Sequence, residues 1–269
     1  MFVIIPQGGL CNRMRSLESA MAVSNAAGAE LTVEWYIDPN LMSDLFENLF
    51  EIPSEIGQII TKDYRSIFGK HKKSIQKQLN KIKYKHCLYE RDLSTFLKRG
   101  GDLVALAKSG PLCIASCMHF YKDEPLFRRF TPAPAICEEV DTIMAGDSTI
   151  IGMHIRRSDH KQAIRRSPLE LFENAMDMEI ELDSDVKFFL ATDSAETEAH
   201  LRQLYGERII VHKKSSLDRN NVAAIRDAMV DLYCLSKTKK IIGSFASSFS
   251  EVAAQISGLE LVILDKAQT

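Results

Sequence analysis

Ile150-Ile151-Gly152-Met153-His154-Ile155-Arg156-Arg157-Ser158-Asp159, near the middle of the chain, decides how the rest is read. Ile150 to Ile155 form a short apolar run that begins just after the turn-forming Gly146-Asp147-Ser148, the pattern of a buried strand. The run breaks abruptly into Arg156-Arg157-Ser158-Asp159, so charge starts where the strand ends. In an open parallel sheet ligands bind at the carboxyl ends of the strands, and two arginines there can fork onto phosphate oxygens without deep burial. His154 and Arg156 are two apart and share a face, whereas Arg157 points to the other face unless the backbone has already turned. A solvated arginine pair bridged to Asp159 is the plainer reading of the same residues.

Working outward, strand and helix alternate regularly to the carboxyl terminus. Ser167-Pro168 opens a helix to about Met178 on a Leu169, Phe172, Met176 stripe, and Lys187–Ala191 is the next strand. Asp193 directly follows that strand at another carboxyl end; with Glu196 it also fits a capping box for a helix over Ala195–Tyr205. Arg208–Val211 is a further strand, and Val222, Ile225, Met229, Leu232 and Leu235 mark a long amphipathic helix. Lys239–Gly243 makes another strand, ending in Ser244-Phe245-Ala246-Ser247-Ser248-Phe249-Ser250, and Leu259–Leu264 closes the set. Hydroxyl residues at a helix start can cradle phosphate oxygens, although Ser248-x-x-Glu251 is equally a capping box.

Working back, Phe2–Ile5 is a buried strand, Pro6-Gln7-Gly8-Gly9 a tight loop, and Asn12 onward a helix stopped by Gly28, with Leu31–Ile37 the second strand. Gly8 and Gly9 allow backbone to approach a ligand or simply make the turn; the third glycine of a dinucleotide fingerprint is absent. Between Met42 and Gly110 the order of elements is hard to read. Lys70–Lys85 is a basic, helix-compatible run, either a solvated face or a contact for an anionic acceptor or a membrane surface. The Pro-rich turn Thr131-Pro132-Ala133-Pro134 leads into an amphipathic helix and marks the division into domains 1–132 and 133–269.

The 269 residues are 45% hydrophobic and 26% charged with net charge -2, which gives no general attraction to nucleic acid; any anion specificity has to be local. Met1–Ile5 is too short for a leader and no stretch reaches a membrane span, so a cytoplasmic protein is expected. The six cysteines hold no C-x-x-C pair and read as reduced core thiols; Cys113, Cys117 and His119 lack a fourth partner for a metal.

Taken jointly, these stretches resemble a known superfamily. Gly8-Gly9-Leu10-Cys11-Asn12-Arg13 is similar to the G-G-x-x-N loop, His154–Asp159 to H-x-R-R-x-D, and Ala191-Thr192-Asp193 to A-T-D. Asp231–Ser236 with Ser247–Ser250 is similar to the D-L-x-x-L-S…S-S-F-S motif of the α1,6-, α1,2- and protein O-fucosyltransferases. The doubled arginine is most similar to the α1,6 branch, which includes the rhizobial nodulation-factor enzymes.

That resemblance implies an α/β fold of two Rossmann-like domains (GT-B) with parallel sheets, facing each other across a cleft. It implies an inverting glycosyltransferase that moves fucose from GDP-fucose to a hydroxyl of a glycan or lipid-linked oligosaccharide, with no metal and no cofactor, in polysaccharide biosynthesis at the cytoplasmic side of the membrane. Carried over, Arg156, with Arg157 beside it, binds the diphosphate and assists its departure. His154 and Asp193 meet the guanine or ribose edge, Ser247, Ser248 and Phe249 line the nucleotide pocket, and Asn12 with the Gly8-Gly9 loop faces the sugar phosphate. The sequence departs from the α1,6 pattern after Asp159, where no acid occurs before Glu170; His160 is then the offered proton acceptor, or a solvent-facing loop histidine. A related transferase with another nucleotide sugar, or a binding module without turnover, stay open beside the main reading.

Overall fold

The computed structural model describes residues 1–38, 42–64, 69–122, 127–145, 147, 149–158, 161–214 and 222–267. Continuous apolar runs become strands buried on both faces, as parallel sheets covered by helices require. The first sheet collects β1 (Phe2–Pro6), β2 (Leu31–Ile37), β3 (Ile56–Asp63), β4 (His86–Tyr89) and β5 (Leu112–Ser116) in the order β3-β2-β1-β5-β4. The second collects β6 (Ile151–Ile155), β7 (Phe188–Thr192), β8 (Ile209–Ile210), β9 (Ile241–Ser244) and β10 (Leu261–Leu264) in the order β10-β9-β6-β7-β8. Every pairing between these strands is parallel.

Helices α1 (Leu10–Ala27), α2 (Gly69–Lys83), α3 (Glu90–Lys98) and α4 (Leu103–Lys108) accompany the first sheet. The second has α5 (Pro134–Met144), α6 (Lys161–Arg166), α7 (Leu169–Leu182), α8 (Ala195–Tyr205), α9 (Val222–Ser236) and α10 (Ser248–Ser257). The chain divides into two compact units, Met1–Ala133 with Arg219–Ile225, and Pro134–Asp218 with Arg226–Thr269.

In the second unit chain order runs outward from β6 through β7 to β8, then returns to β9 on its other side. The carboxyl end of β6 beside β9 is therefore a topological switch point, where a parallel sheet opens a crevice. Two glycines let helices close on this sheet. A Cβ on Gly152 would lie 2.8 Å from Thr238 Oγ1, and one on Gly243 would lie 2.8 Å from the Ser250 side chain. The core beneath is Ile155, Phe172, Met176, Phe188, Leu190, Leu201 and Ile242, all buried. The first unit is closed by a run of aromatic contacts, Trp35 on Phe46 at 5.4 Å, Phe46 on Phe50 at 5.3 Å and Phe50 on Phe130 at 5.3 Å.

The expected elements hold, with corrections at their ends. The helix opened by Pro168 continues past Met178 to Leu182, and the strand expected over Arg208–Val211 is only Ile209–Ile210. Helix α6 has no apolar periodicity that would announce it. The segment from Met42 to Gly110 holds β3, α2, β4, α3 and α4; β3 is mostly half-buried or exposed and β4 has four residues, so neither writes a buried-strand pattern. None of the six cysteines is in a disulfide.

Candidate functional site

The loop leaving β6 is pinned from both neighbouring strands. Arg156 N–H donates to Ser244 Oγ at 2.9 Å, and that hydroxyl donates to the His154 carbonyl at 3.3 Å. From the other side Thr192 Oγ1 donates to the Ile155 carbonyl at 2.8 Å. The Asp193 carboxylate accepts from the N–H groups of Arg157 at 2.7 Å and Ser158 at 3.3 Å, and from Ser158 Oγ at 2.8 Å. Its second oxygen lies 2.9 Å from Arg156 Nη1. Burial works to raise the Asp193 pKa, yet the hydrogen bonds from Ser158 and Arg157 and the charge of Arg156 outweigh it and hold the carboxyl below its ordinary value.

These contacts correct the capping expectation. Helix α8 is capped by Ser194, whose hydroxyl accepts from Thr197 N–H at 3.2 Å, so Asp193 turns back to the β6 loop instead. The two arginines diverge. Arg156 keeps 23% of its side chain exposed beside Asp193. Arg157 runs into the unit, donating to the Ser167 carbonyl at 2.8 Å with its guanidinium 5.8 Å from the Phe172 ring. Burial lowers its pKa against the pull of Asp193, and its buried Nη2 has no hydrogen-bond partner among the described residues.

His154 stacks on Phe249, centroids 4.9 Å apart and planes at 28°. Burial, reinforced by the Arg156 charge, pushes its pKa down to about 3, so the ring is neutral, and its buried Nδ1 has no hydrogen-bond partner among the described residues. Phe249 reaches it because the β9–α10 turn passes through Ala246 at φ 52°, a left-handed conformation uncommon outside glycine. The N-cap of α10 is Ser247, one residue before the Ser248 of the expected box, and its side chain makes no cap hydrogen bond. Ser247 is buried and Ser248 half-buried at a helix start whose backbone N–H groups lack a side-chain acceptor from the cap.

A third set escaped the sequence reading. Lys214 Nζ donates to the Thr192 carbonyl, next to Asp193, and lies 3.0 Å from Asp231 Oδ2. Asp231 is buried on α9, and its Oδ1 has no hydrogen-bond partner among the described residues. His212 Nδ1 approaches that oxygen at 3.6 Å, an ionic contact too long for a hydrogen bond, while His212 Nε2 meets Glu139 at 2.9 Å. Burial depresses the His212 pKa, but Asp231, Glu139 and Asp227 together raise it above its ordinary value. The signal in the sequence was the Asp231 of the D-L-x-x-L-S stretch, quoted without a role.

In the first unit the β1–α1 turn is made by Gly8 at φ 80°, where an added Cβ would lie 3.1 Å from the Asn12 side chain, and by Gly9, extended and without a side-chain cap. Asn12 is half-buried. Arg13 turns inward, donating through Nε to the Gly8 carbonyl at 3.0 Å with its guanidinium 4.5 Å over Trp35. Burial, opposed by Asp38, pushes its pKa down to about 9. His154 thus stacks on Phe249 and Arg156 pairs with Asp193, the Ser244 hydroxyl linking the Arg156 N–H to the His154 carbonyl; Ser247 and Ser248 precede Phe249 in the chain, and Gly8, Gly9 and Asn12 belong to the other unit. His160 lies outside the described residues. Among the described residues no group of three or more His, Cys, Asp or Glu side chains is arranged to hold a metal.

No family model matches the chain, and no curated protein sequence does. Solved structures do. NodZ α1,6-fucosyltransferase soaked with GDP-fucose, a protein also solved from Bradyrhizobium, superposes with a TM-score of 0.63 at 18% identity, over 95% of this chain and 92% of that one. A variant of Arabidopsis thaliana FUT1 in complex with GDP gives 0.64 at 16% identity over 98% of this chain and 69% of that one. POFUT1 in complex with GDP gives 0.60 at 12%, over 98% of each chain. The chain has the two-Rossmann α/β fold of these fucosyltransferases.

Proposed function

We propose that this chain is an inverting glycosyltransferase whose donor is a nucleoside diphosphate sugar, GDP-fucose in the main reading. The observation that carries the proposal is the Arg156 loop: Ser244 and Asp193 fix its backbone from both sides while the guanidinium stays partly exposed at the switch point of a parallel sheet. Such a cation is preorganised. In an inverting transfer the acceptor oxygen attacks the anomeric carbon as its bond to the diphosphate breaks, and negative charge grows on the departing phosphate oxygens. A fixed guanidinium aimed there stabilises the transition state more than the ground state and does the work a divalent cation does elsewhere.

Asp193 has both oxygens engaged, so its part is to position the loop. Recognition of the base falls to groups that are buried and still have capacity, Asp231 Oδ1 as acceptor and neutral His154 Nδ1, with the ring of Phe249 beside it. A guanine edge, rich in N–H donors, suits a carboxylate oxygen. Arg157, held on Ser167, supports the loop from below. Ser247 and Ser248 offer hydroxyls and backbone N–H groups to phosphate. His160 is the proton acceptor the sequence offers.

A panel of GDP, UDP, ADP and dTDP in thermal unfolding tests the donor class. A ligand at a hundredfold its dissociation constant stabilises by about 2.7 kcal/mol, and GDP alone is expected to reach that. Equal shifts from all four would sink the guanine assignment. A second reading, binding without turnover, is favoured by the lack of an acid between Asp159 and Glu170; release of GDP from GDP-fucose, with EDTA present and absent, separates the two. Loss of turnover in EDTA, restored by Mg²⁺ or Mn²⁺, would remove the arginine account.

A further inference from the structure

Helix α2 is built inside out. At 3.6 residues per turn Ile75, Leu79 and Ile82 fall within about 60° of arc, yet they are 60%, 51% and 83% exposed. The side turned to the protein is polar, with Asn80 1% exposed and accepting from Gln76 at 2.8 Å; Lys77 and Lys83 stay exposed, their ammonium groups 4.5 Å from the Tyr89 ring and 5.0 Å from the Tyr84 ring. A surface helix ordinarily hides its apolar stripe and shows its polar one. The helix also has six lysines and no acid, in a chain of net charge -2.

We propose that α2 is a membrane-docking helix that lies in the interface of an anionic lipid surface, with Ile75, Leu79 and Ile82 entering the acyl boundary and the lysines reaching the headgroups. Aliphatic stripe and flanking lysines together fit that occupant, because a lysine can lay its stem along the apolar boundary and keep its ammonium at lipid phosphate. A nucleic acid would satisfy the lysines and leave the stripe in water. A second copy fits less well: the isologous pairing of α2 on α2 would set six lysines against six with no acid on either helix. The proposal is independent of the transfer reaction.

The test is co-sedimentation of the full chain with vesicles of phosphatidylcholine alone and of phosphatidylcholine with phosphatidylserine, alongside its molar mass in solution without lipid. Binding is expected to the mixed vesicles only, and to weaken as salt is raised. Replacing Ile75, Leu79 and Ile82 together by Ser should lower partition at least about 100-fold with an unchanged unfolding midpoint, since none of the three is buried. Lys81→Glu, on an exposed position, should lower it about tenfold on its own. Failure to bind phosphatidylserine vesicles, or equal binding to neutral ones, overturns the proposal. So does concentration-dependent assembly that the triple Ser variant abolishes while lipid binding is unaffected.

Discussion

At the carboxyl edge of β1, Arg13 turns inward, gives its Nε–H to the Gly8 carbonyl and lies over Trp35, where burial pulls its pKa down to about 9. At the carboxyl edge of β6, Arg156 turns outward to Asp193 and stays partly exposed. Both loops leave the central strand of a five-stranded parallel sheet, so topology gives the two arginines equal opportunity. Local partners separate them. After β6 the backbone N–H groups are taken by Ser244 and Asp193, and the Arg156 guanidinium pairs with Asp193 while keeping 23% of its side chain exposed; after β1 the turn is glycine, and Arg13 itself supplies the contact to its carbonyl oxygen. A sheet edge offers a place for a ligand, and the side chains that fix the loop decide whether the cation there is buried or kept at the surface.

The sharpest way to break this contrast is Arg156→Lys, which keeps the charge and loses the planar fork. Steady-state release of GDP should fall roughly a hundredfold or more, on the order of 3 kcal/mol, with the unfolding midpoint almost unchanged, and Arg156→Ala should fall further. Arg157→Lys should show the reverse balance, a lowered midpoint with milder loss of turnover. A near-normal rate for Arg156→Lys would remove the mechanism.

Arg13→Ala probes the other side. Loss of the buried contact over Trp35 should cost about 2 kcal/mol of stability in denaturant unfolding. Nucleotide affinity of the folded variant should hold; if it drops, the inward arginine is not purely structural.

Asp193→Asn comes next. The amide nitrogen cannot accept, so at least one of the donors from Arg157, Ser158 and Arg156 is left without a partner, at about 1 to 2 kcal/mol. Turnover should fall with it because the Arg156 loop loosens, while base selectivity, measured as the GDP to UDP affinity ratio, stays constant if Asp231 reads the base. Since the Asp193 pKa is depressed on folding, its contribution is present above the unfolded value near 3.9 and is lost as pH falls through the folded one. The stability difference between wild type and Asp193→Asn should therefore close on acidification below that point.

The smallest effect concerns His212. Its folded pKa is raised, so its contribution is full below the unfolded value near 6.5 and fades as pH rises through the folded value. The wild-type midpoint should drop by a few degrees relative to His212→Gln between about pH 6 and 8. A difference that does not change with pH would mean that Asp231 and Glu139 do not hold the imidazolium.

The alternation of apolar runs with amphipathic helices pointed to parallel α/β units, because strands buried on both faces are mostly apolar and their crossovers helical; β1 follows this rule, β6 and β7 follow it apart from His154 and Thr192, and β2 departs from it with buried Thr32 and Glu34. Periodicity was silent for β3 and β4, which are short or partly exposed, and for α6. The sequence also brought forward His154, Arg156 and Asp193 as residue types at strand ends, and Phe249 through the resemblance. Their division of labour came from tertiary contacts alone. Whether Asp193 caps α8 or binds the β6 loop depends on a competition with Ser194 one residue away, and which oxygen of Asp231 stays unsatisfied depends on Lys214 and His212, seventeen and nineteen residues upstream. Local pattern sets where a strand ends; only packing around that end sets which donors and acceptors are already spent, and reactivity belongs to the ones that are left.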